Sequence, residues 1–260
     1  MGAKLMTTLT HGNPLANPTS TAKGTVGQRM ATADGRVWRY AKAGGTITVG
    51  KALARAPDVF DILVTYFGAS AALAPVAGEG GAVGDKKVRM CVVTGTKTMT
   101  ADEYANGLLM ITDGAGEGYG YPIDTHPANG ATGSILLTLG AEIKVALDNT
   151  SVGVVIKNPW MDVVIATHKD ATGNPDESIV GVAPQAVTDD YYFWAQTWGD
   201  VVVQAGTATI IAGSNVILAE DADGSVQVPV AGETIIDTFG VGINDTANTI
   251  FGGVFLKISP

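Results

Sequence analysis

The feature that most constrains this chain is a succession of short apolar runs, each closed by turn-forming residues. They lie at Val88 to Thr94, Leu108 to Thr112, Tyr119 to Thr125, Ile135 to Leu139, Ile143 to Leu147 and Val152 to Ile156. They continue through Ile179 to Val182, Tyr191 to Trp198, Val201 to Gln204, Thr207 to Ile211, Val216 to Leu218, Val226 to Val230, Ile235 to Ile243 and Ile250 to Ile258. Gly, Asn, Asp or Pro bounds each run, which is the mark of strands joined by turns. Many short strands at this density predict an all-β chain whose core is a β-barrel or β-sandwich (β-tulip-like), with an extended N-terminal arm and little helix.

The arm is residues 1–30. Asn13-Pro14, Asn17-Pro18, Thr19, Ser20, Thr21 and Gly24 give it turn chemistry without an aromatic anchor or sustained period. The β-rich body is residues 31–260, read either as one domain or as two small subdomains divided near 160–178. It opens with Gly35-Arg36-Val37-Trp38-Arg39-Tyr40-Ala41, which alternates charged and apolar residues before Gly44-Gly45 turns the chain into Thr46-Ile47-Thr48-Val49. That pattern predicts a hairpin. Residues 56–86 fit a strand pair or a helix followed by a glycine-rich loop, and stay unassigned. The one helical signal is Thr100 with Glu103, at capping-box spacing.

Size and composition fit an ordered protein. At 260 residues the chain can bury a substantial core, with 46% hydrophobic and 16% charged residues. Sixteen basic against 25 acidic residues leave a formal net charge of -9, which argues against a nucleic-acid partner held by phosphate neutralisation. The N-terminus lacks the apolar stretch that export needs. No stretch approaches the roughly 18 apolar residues of a membrane span, so no membrane partner is expected. Cys91, the single cysteine, lies in an apolar run and is expected to be a small buried hydrophobe.

No constellation for chemistry emerges. His11, His126 and His168 have no partner at ligand spacing, so neither a metal nor a catalytic histidine is expected. The run Asp113-Gly114-Ala115-Gly116-Glu117-Gly118 lacks the Gly-Lys-Ser/Thr ending of a phosphate cradle and opens into a strand, as a β-turn would. Glu220-Asp221-Ala222-Asp223-Gly224 loosely resembles a calcium loop but lacks the later ligands, and reads as a solvated Asp-Gly hairpin. No Gly-x-Ser-x-Gly elbow is present. The chain is therefore expected to be non-enzymatic, with no cofactor.

Large aromatic residues are the more suggestive group: Trp38, Tyr40, Tyr191, Tyr192, Phe193, Trp194 and Trp198. Such rings serve core packing first and intersubunit contact second. Residues 35–44 and 190–199 also share an aromatic run closed by glycine, a weak internal likeness.

Four segments carry a resemblance to a known group. They are Asp34-Gly35-Arg36-Val37-Trp38-Arg39-Tyr40-Ala41, the stretch from Tyr104-Ala105-Asn106-Gly107 to Gly118, Lys157-Asn158-Pro159-Trp160, and Tyr192-Phe193-Trp194-Ala195-Gln196-Thr197-Trp198-Gly199. Together they resemble the decoration, or cement, proteins of tailed bacteriophage virions. The resemblance implies a homotrimer bound to the major capsid protein on the outer surface of an icosahedral shell. Such a protein is made in the host cytoplasm and resides in the virion, with its arm reaching across capsid protein. The interface residues expected on this reading are Asn13, Pro14, Leu15, Pro18, Trp38, Tyr40, Trp160, Trp194 and Trp198. Two other readings stand beside it. One is the major capsid protein itself, which calls for a long amphipathic helix. The other is a β-sandwich glycan-binding module of a virion, using Trp160, Trp194 or Trp198 as stacking platforms.

Overall fold

The structure, a computed structural model, describes residues 13–55, 62–66, 80–92, 99–128, 134–167, 178–229 and 238–260. The chain is all-β: its described residues form sixteen strands and no helix. Every ladder between these strands is antiparallel. The chain divides into two units, one made of residues 1–57 and 159–260, the other of residues 58–158. The body is thus split by an insertion with two junctions, where the sequence suggested one boundary near 160–178. The strands on either side of the insertion explain how the chain tolerates it. β3 (Ala52–Ala54) and β10 (Val164–Ile165) pair with each other, so the chain leaves and re-enters the first unit at neighbouring strands.

The inserted unit is a closed six-stranded barrel. It comprises β4 (Ile62–Tyr66), β5 (Lys87–Val92), β6 (Leu108–Asp113), β7 (Gly120–Thr125), β8 (Ser134–Leu139) and β9 (Val152–Ile156), paired in the order β4-β5-β8-β7-β6-β9. β9 closes the ring by pairing with both β4 and β6. The period-2 alternation predicted from sequence is visible here: every second residue is buried throughout β9, and in β6 and β7 as far as Ile111 and Ile123. Those inward residues, among them Leu109, Ile111, Tyr121, Ile123 and Val155, form one core with Met90, Met99, Tyr104 and Leu137. The Asp113–Gly118 run is the predicted turn between β6 and β7.

Two expectations fail inside this unit. Ile143 to Leu147 is not a strand. Its backbone instead bonds an irregular loop, Ile143 N–H to Asp85 O at 2.8 Å and Leu147 N–H to Gly81 O at 3.0 Å, while Ile143 and Leu147 side chains are buried. Nor do residues 100–106 form a helix. The Thr100 N–H does donate to Glu103 Oε2 at 3.0 Å, half of a capping box, but Asp102 and Asn106 adopt φ of 59° and 60°, which ends any helical turn.

The other unit is built on a ten-stranded sheet. Its main path is β10, β3, β11 (Ile179–Val182), β12 (Tyr192–Gln204), β16 (Phe251–Lys257), β15 (Gly240–Gly242), β13 (Asn215–Leu218) and β14 (Val226–Gln227), with β1 (Arg29–Ala31) and β2 (Val37–Lys42) attached to β12. β12 absorbs two runs read separately from sequence, Tyr191 to Trp198 and Val201 to Gln204, into one strand of 13 residues. Its first half pairs with β2 and its second half with β16, and a register shift lies between Gln196 and Trp198. Phe193 and Ala195 pack in one core with Ala41, Ile47, Leu53 and Val163, whereas Val201 and Val203 pack in another with Val216, Val254 and Leu256. The bulge lets one strand serve both cores.

The side chains around the bulge hold it in place. Gln196, 1% exposed, donates from Nε2 to the carbonyls of Trp198 at 3.1 Å and Asp200 at 2.8 Å. Thr197 Oγ1 donates to Ser259 O at 2.8 Å. Gly199 sits at φ 85°, and a Cβ there would lie 3.0 Å from Arg36 Cγ.

The hairpin expected from Val37–Ala41 to Thr46–Val49 does not form. β2 pairs instead with β1 and β12, and of the second run only Ile47 makes a bridge, to Val187. The chain after Lys42 is drawn elsewhere, with Ala43 N–H bonding Tyr191 O and Gly44 N–H bonding Val163 O. Thr207 to Ile211 is likewise reduced to one bridge, Ile210 with Thr246. Part of the segment expected as an arm, residues 1–30, belongs to the sheet unit instead: Thr19 bridges Tyr192, Val26 and Met30 are buried, and β1 begins at Arg29. Residues 1–12, His11, His168, and the parts of 56–86 at 56–61 and 67–79 lie outside the described residues.

Gly199→Ala should lower stability by about 1–3 kcal/mol, because it adds a side chain at positive φ and against Arg36. Gly213→Ala, at φ 77° with open space around the new Cβ, should cost less. Chemical denaturation of the two variants ranks them, and equal midpoints would remove the bulge from the account.

Candidate functional site

The aromatic residues singled out in the sequence converge because β2 and β12 are neighbours. Tyr40 lies opposite Trp194 and Trp38 opposite Gln196, so the two similar aromatic runs pair with each other. Tyr40 packs against Trp194 at 5.1 Å between ring centroids and stacks on Tyr192 at 5.9 Å. Trp38 and Tyr40 are 1% and 4% exposed, which makes them core residues and corrects their placement at an interface. Tyr40 is covered by the preceding chain: Lys23 N–H donates to its hydroxyl at 2.8 Å and Gly27 N–H to its carbonyl at 2.8 Å. Trp194, Trp198 and Trp160 are half-buried. Trp160 is no free platform, since its indole N–H donates to Val180 O at 3.2 Å and the Arg39 guanidinium lies 4.9 Å above its ring. Of the N-terminal candidates, Asn13 is exposed, Pro14 and Pro18 are half-buried, and Leu15 is 54% exposed.

Leu15 is not isolated. With Val49, Val202, Ile243 and Pro184 it lines a groove of about 320 Å³. Leu15, Val49, Val202 and Ile243 are all at least 46% exposed, so this is a contiguous apolar surface open to water. The indole N–H of Trp38 is buried without a hydrogen-bond partner. Arg36 and Asp200 supply the charged rim.

The rim is ordered by a local clip. Arg36 donates to Asp34 Oδ2 from Nε at 2.7 Å and from the terminal guanidinium nitrogen at 2.7 Å, while Thr32 Oγ1 donates to Asp34 Oδ1. These bonds, the one from Arg36 first, hold the Asp34 carboxyl well below its ordinary value of 3.8. Arg36 also lies over Trp38, 5.4 Å from the ring. The clip thereby ties the turn between β1 and β2 to the groove.

His126 is 3% exposed in the barrel unit. Its Nδ1 lies 2.9 Å from Pro127 O, which only accepts, so Nδ1 carries the proton and Nε2 accepts the Tyr104 N–H at 2.9 Å. Asp102 accepts the His126 backbone N–H at 2.9 Å, and Glu103 pairs with Lys157 at 2.9 Å. This network pins the turn at 100–106 to the barrel. Nothing in the sequence spacing pointed to it, because the partners are brought together only by the ring of strands. Asp221 to Gly224 is the turn between β13 and β14, and no acidic or histidine cluster that could hold a metal ion occurs among the described residues. Cys91 is half-buried rather than buried, and burial pushes its thiol up. No described helix is long and apolar enough to cross a membrane.

His126→Phe should cost about 1–3 kcal/mol, because it leaves the buried Tyr104 N–H without an acceptor. Amide exchange at Tyr104 would report the loss, and unchanged exchange would refute the role. The Asp34 clip carries a pH signature. A carboxyl depressed in the folded state contributes stability above its unfolded pKa and loses it as pH falls toward the folded value. The difference in melting temperature between wild type and Asp34→Asn should therefore be present at neutral pH and shrink progressively below pH 3.8.

No protein-family model, curated protein or solved structure matches this chain.

Proposed function

We propose that the chain is a non-catalytic structural subunit of a tailed-phage virion, a decoration protein that binds the outer surface of the capsid and fortifies the shell. The observation that carries this reading is the apolar groove at the root of the N-terminal segment. Leu15, at 54% exposure, meets Val49, Val202 and Ile243 there, and the chain then docks on the sheet at Thr19. Exposed apolar surface of this kind is stabilised when another protein covers it. An N-terminal segment that pairs with a partner adds main-chain hydrogen bonds and apolar contact in the same event.

On this reading the groove and residues 1–18 contact the major capsid protein, and three copies assemble about a local threefold axis. The fortifying effect follows from linkage, since a subunit that binds only the assembled shell shifts the equilibrium toward it. The β-rich body suits the task because its strand-paired backbone leaves the contact surface formed before binding.

The test uses undecorated shells of a tailed phage. Full-length protein should co-sediment with shells and give ordered density at local threefold positions by cryo-electron microscopy, and its mass in solution should be that of three chains. Removing residues 1–18 gives up the exposed bond from Gln185 to Ala16 O and the Leu15 contact but stops short of Thr19 and of buried Val26 and Met30, so the truncated chain should still fold, with a slightly lower melting temperature, and lose shell binding. Bare shells with the full-length protein would overturn the decoration reading, while undiminished binding by the truncated chain would overturn the role of the arm.

A further inference from the structure

We propose that the pocket formed by Trp198, Phe255, Asp34, Arg36 and Asp200 binds a neutral saccharide, with a pyranose ring laid against Trp198. This inference does not rest on the capsid reading. The pocket measures about 470 Å³, within the range of small-molecule sites, and its floor includes the backbone of Gly35 and Gly199.

Its chemistry is mixed in the manner a sugar requires. Trp198 and Phe255 meet edge to face, 5.6 Å apart and at 76°, and both are half-buried, so they supply a fixed apolar wall. Around that wall stand two carboxylates and a guanidinium. The carboxylate of Asp200 is exposed and makes no hydrogen bond among the described residues, and the indole N–H of Trp198 makes none either. A pyranose offers a C–H face to the ring, and its hydroxyls can donate to the Asp200 carboxylate and accept from the Trp198 indole N–H.

Charge selects within the class. Arg36 is committed to Asp34 through two contacts of 2.7 Å, so the pocket retains the negative charge of Asp200. Sugars bearing carboxylate, sulfate or phosphate are repelled, and neutral hexoses or N-acetylhexosamines are favoured. An apolar peptide fits less well, because covering Asp200 with hydrocarbon would desolvate a carboxylate without giving it a donor. The site is also formed in advance of binding: Gln196 bonds the carbonyls of both Trp198 and Asp200, which fixes the wall relative to the carboxylate.

The experiment titrates the full-length protein with galactose, glucose, N-acetylglucosamine and their β-linked disaccharides, following tryptophan fluorescence and amide chemical shifts. At least one neutral sugar should bind saturably, with shifts at Trp198 and Asp200. Asp200→Asn changes an exposed side chain without hydrogen bonds and should fold normally while weakening binding about fivefold. Trp198→Ala should weaken it at least tenfold, and Trp194→Ala should bind as the wild type does. Lack of saturable binding by every neutral sugar would overturn the proposal. So would unchanged affinity in Asp200→Asn and Trp198→Ala, tighter binding of sialic acid or glucuronate than of any neutral sugar, or occupation of the pocket by the synthetic peptide Met1–Leu15 with no sugar bound.

Discussion

The first unit depends on the bulge in β12. A strand of 13 residues that kept one register throughout would present a single face to a single core. Here the shift between Gln196 and Trp198, followed by Gly199 at positive φ, hands the strand from β2 to β16 and from one cluster of apolar side chains to the next. Such a break frees carbonyls that a regular ladder would use. Gln196 answers that need with its amide, which is why a polar side chain at this position is 1% exposed. Gln196, Thr197 and Gly199 together convert a local irregularity into a fixed corner.

The barrel unit solves a different problem. Its six strands close on themselves, so their ladder has no free edge and no partner chain is needed to satisfy one. The alternating burial of β6, β7 and β9 is sufficient to define inside and outside. Buried polar groups tie its loops down: His126 and Lys157 hold the turn at 100–106, and Ser151 bonds Ala115 in the turn between β6 and β7. The buried bond from Tyr104 N–H to His126 is costly to leave unmade, so it specifies one placement of the turn.

Legibility followed the range of the interactions. β6, β7, β9, β11, β13 and β16 were visible in sequence because alternation and bounding turn residues are local properties. The Thr46–Val49 hairpin partner and the strand at Ile143 to Leu147 were misread for the complementary reason. Both segments have strand-like composition, but their backbone groups are claimed by distant chain, Val187 in one case and Gly81 to Asp85 in the other. The likeness between residues 35–44 and 190–199 was seen, yet that the two runs are hydrogen-bonded neighbours could not be. The same holds for the candidate site: Trp198 is legible as an aromatic candidate and Asp200, two residues along the same strand, shares its face by alternation, whereas Asp34, Arg36 and Phe255 become its neighbours only through the pairing of β12 with β2 and β16.

That pairing also relates the two proposed surfaces. Directly opposed residues of an antiparallel pair share a face, so β12 and β16 carry successive rows: Trp198 with Lys257, Asp200 with Phe255, Val202 with Gly253, and Gln204 with Phe251. The saccharide pocket draws on the first two rows and the apolar groove on the third, with Arg36 and Asp200 lining both. One face of a single ladder therefore grades from aromatic and charged to aliphatic over three rows. Since the Gln196 amide fixes the backbone between the rows, occupation of one surface meets a rigid neighbour rather than a yielding loop. Arg36 and Asp200 line both surfaces, so a ligand that engages Asp200 changes the charge presented at the groove beside it.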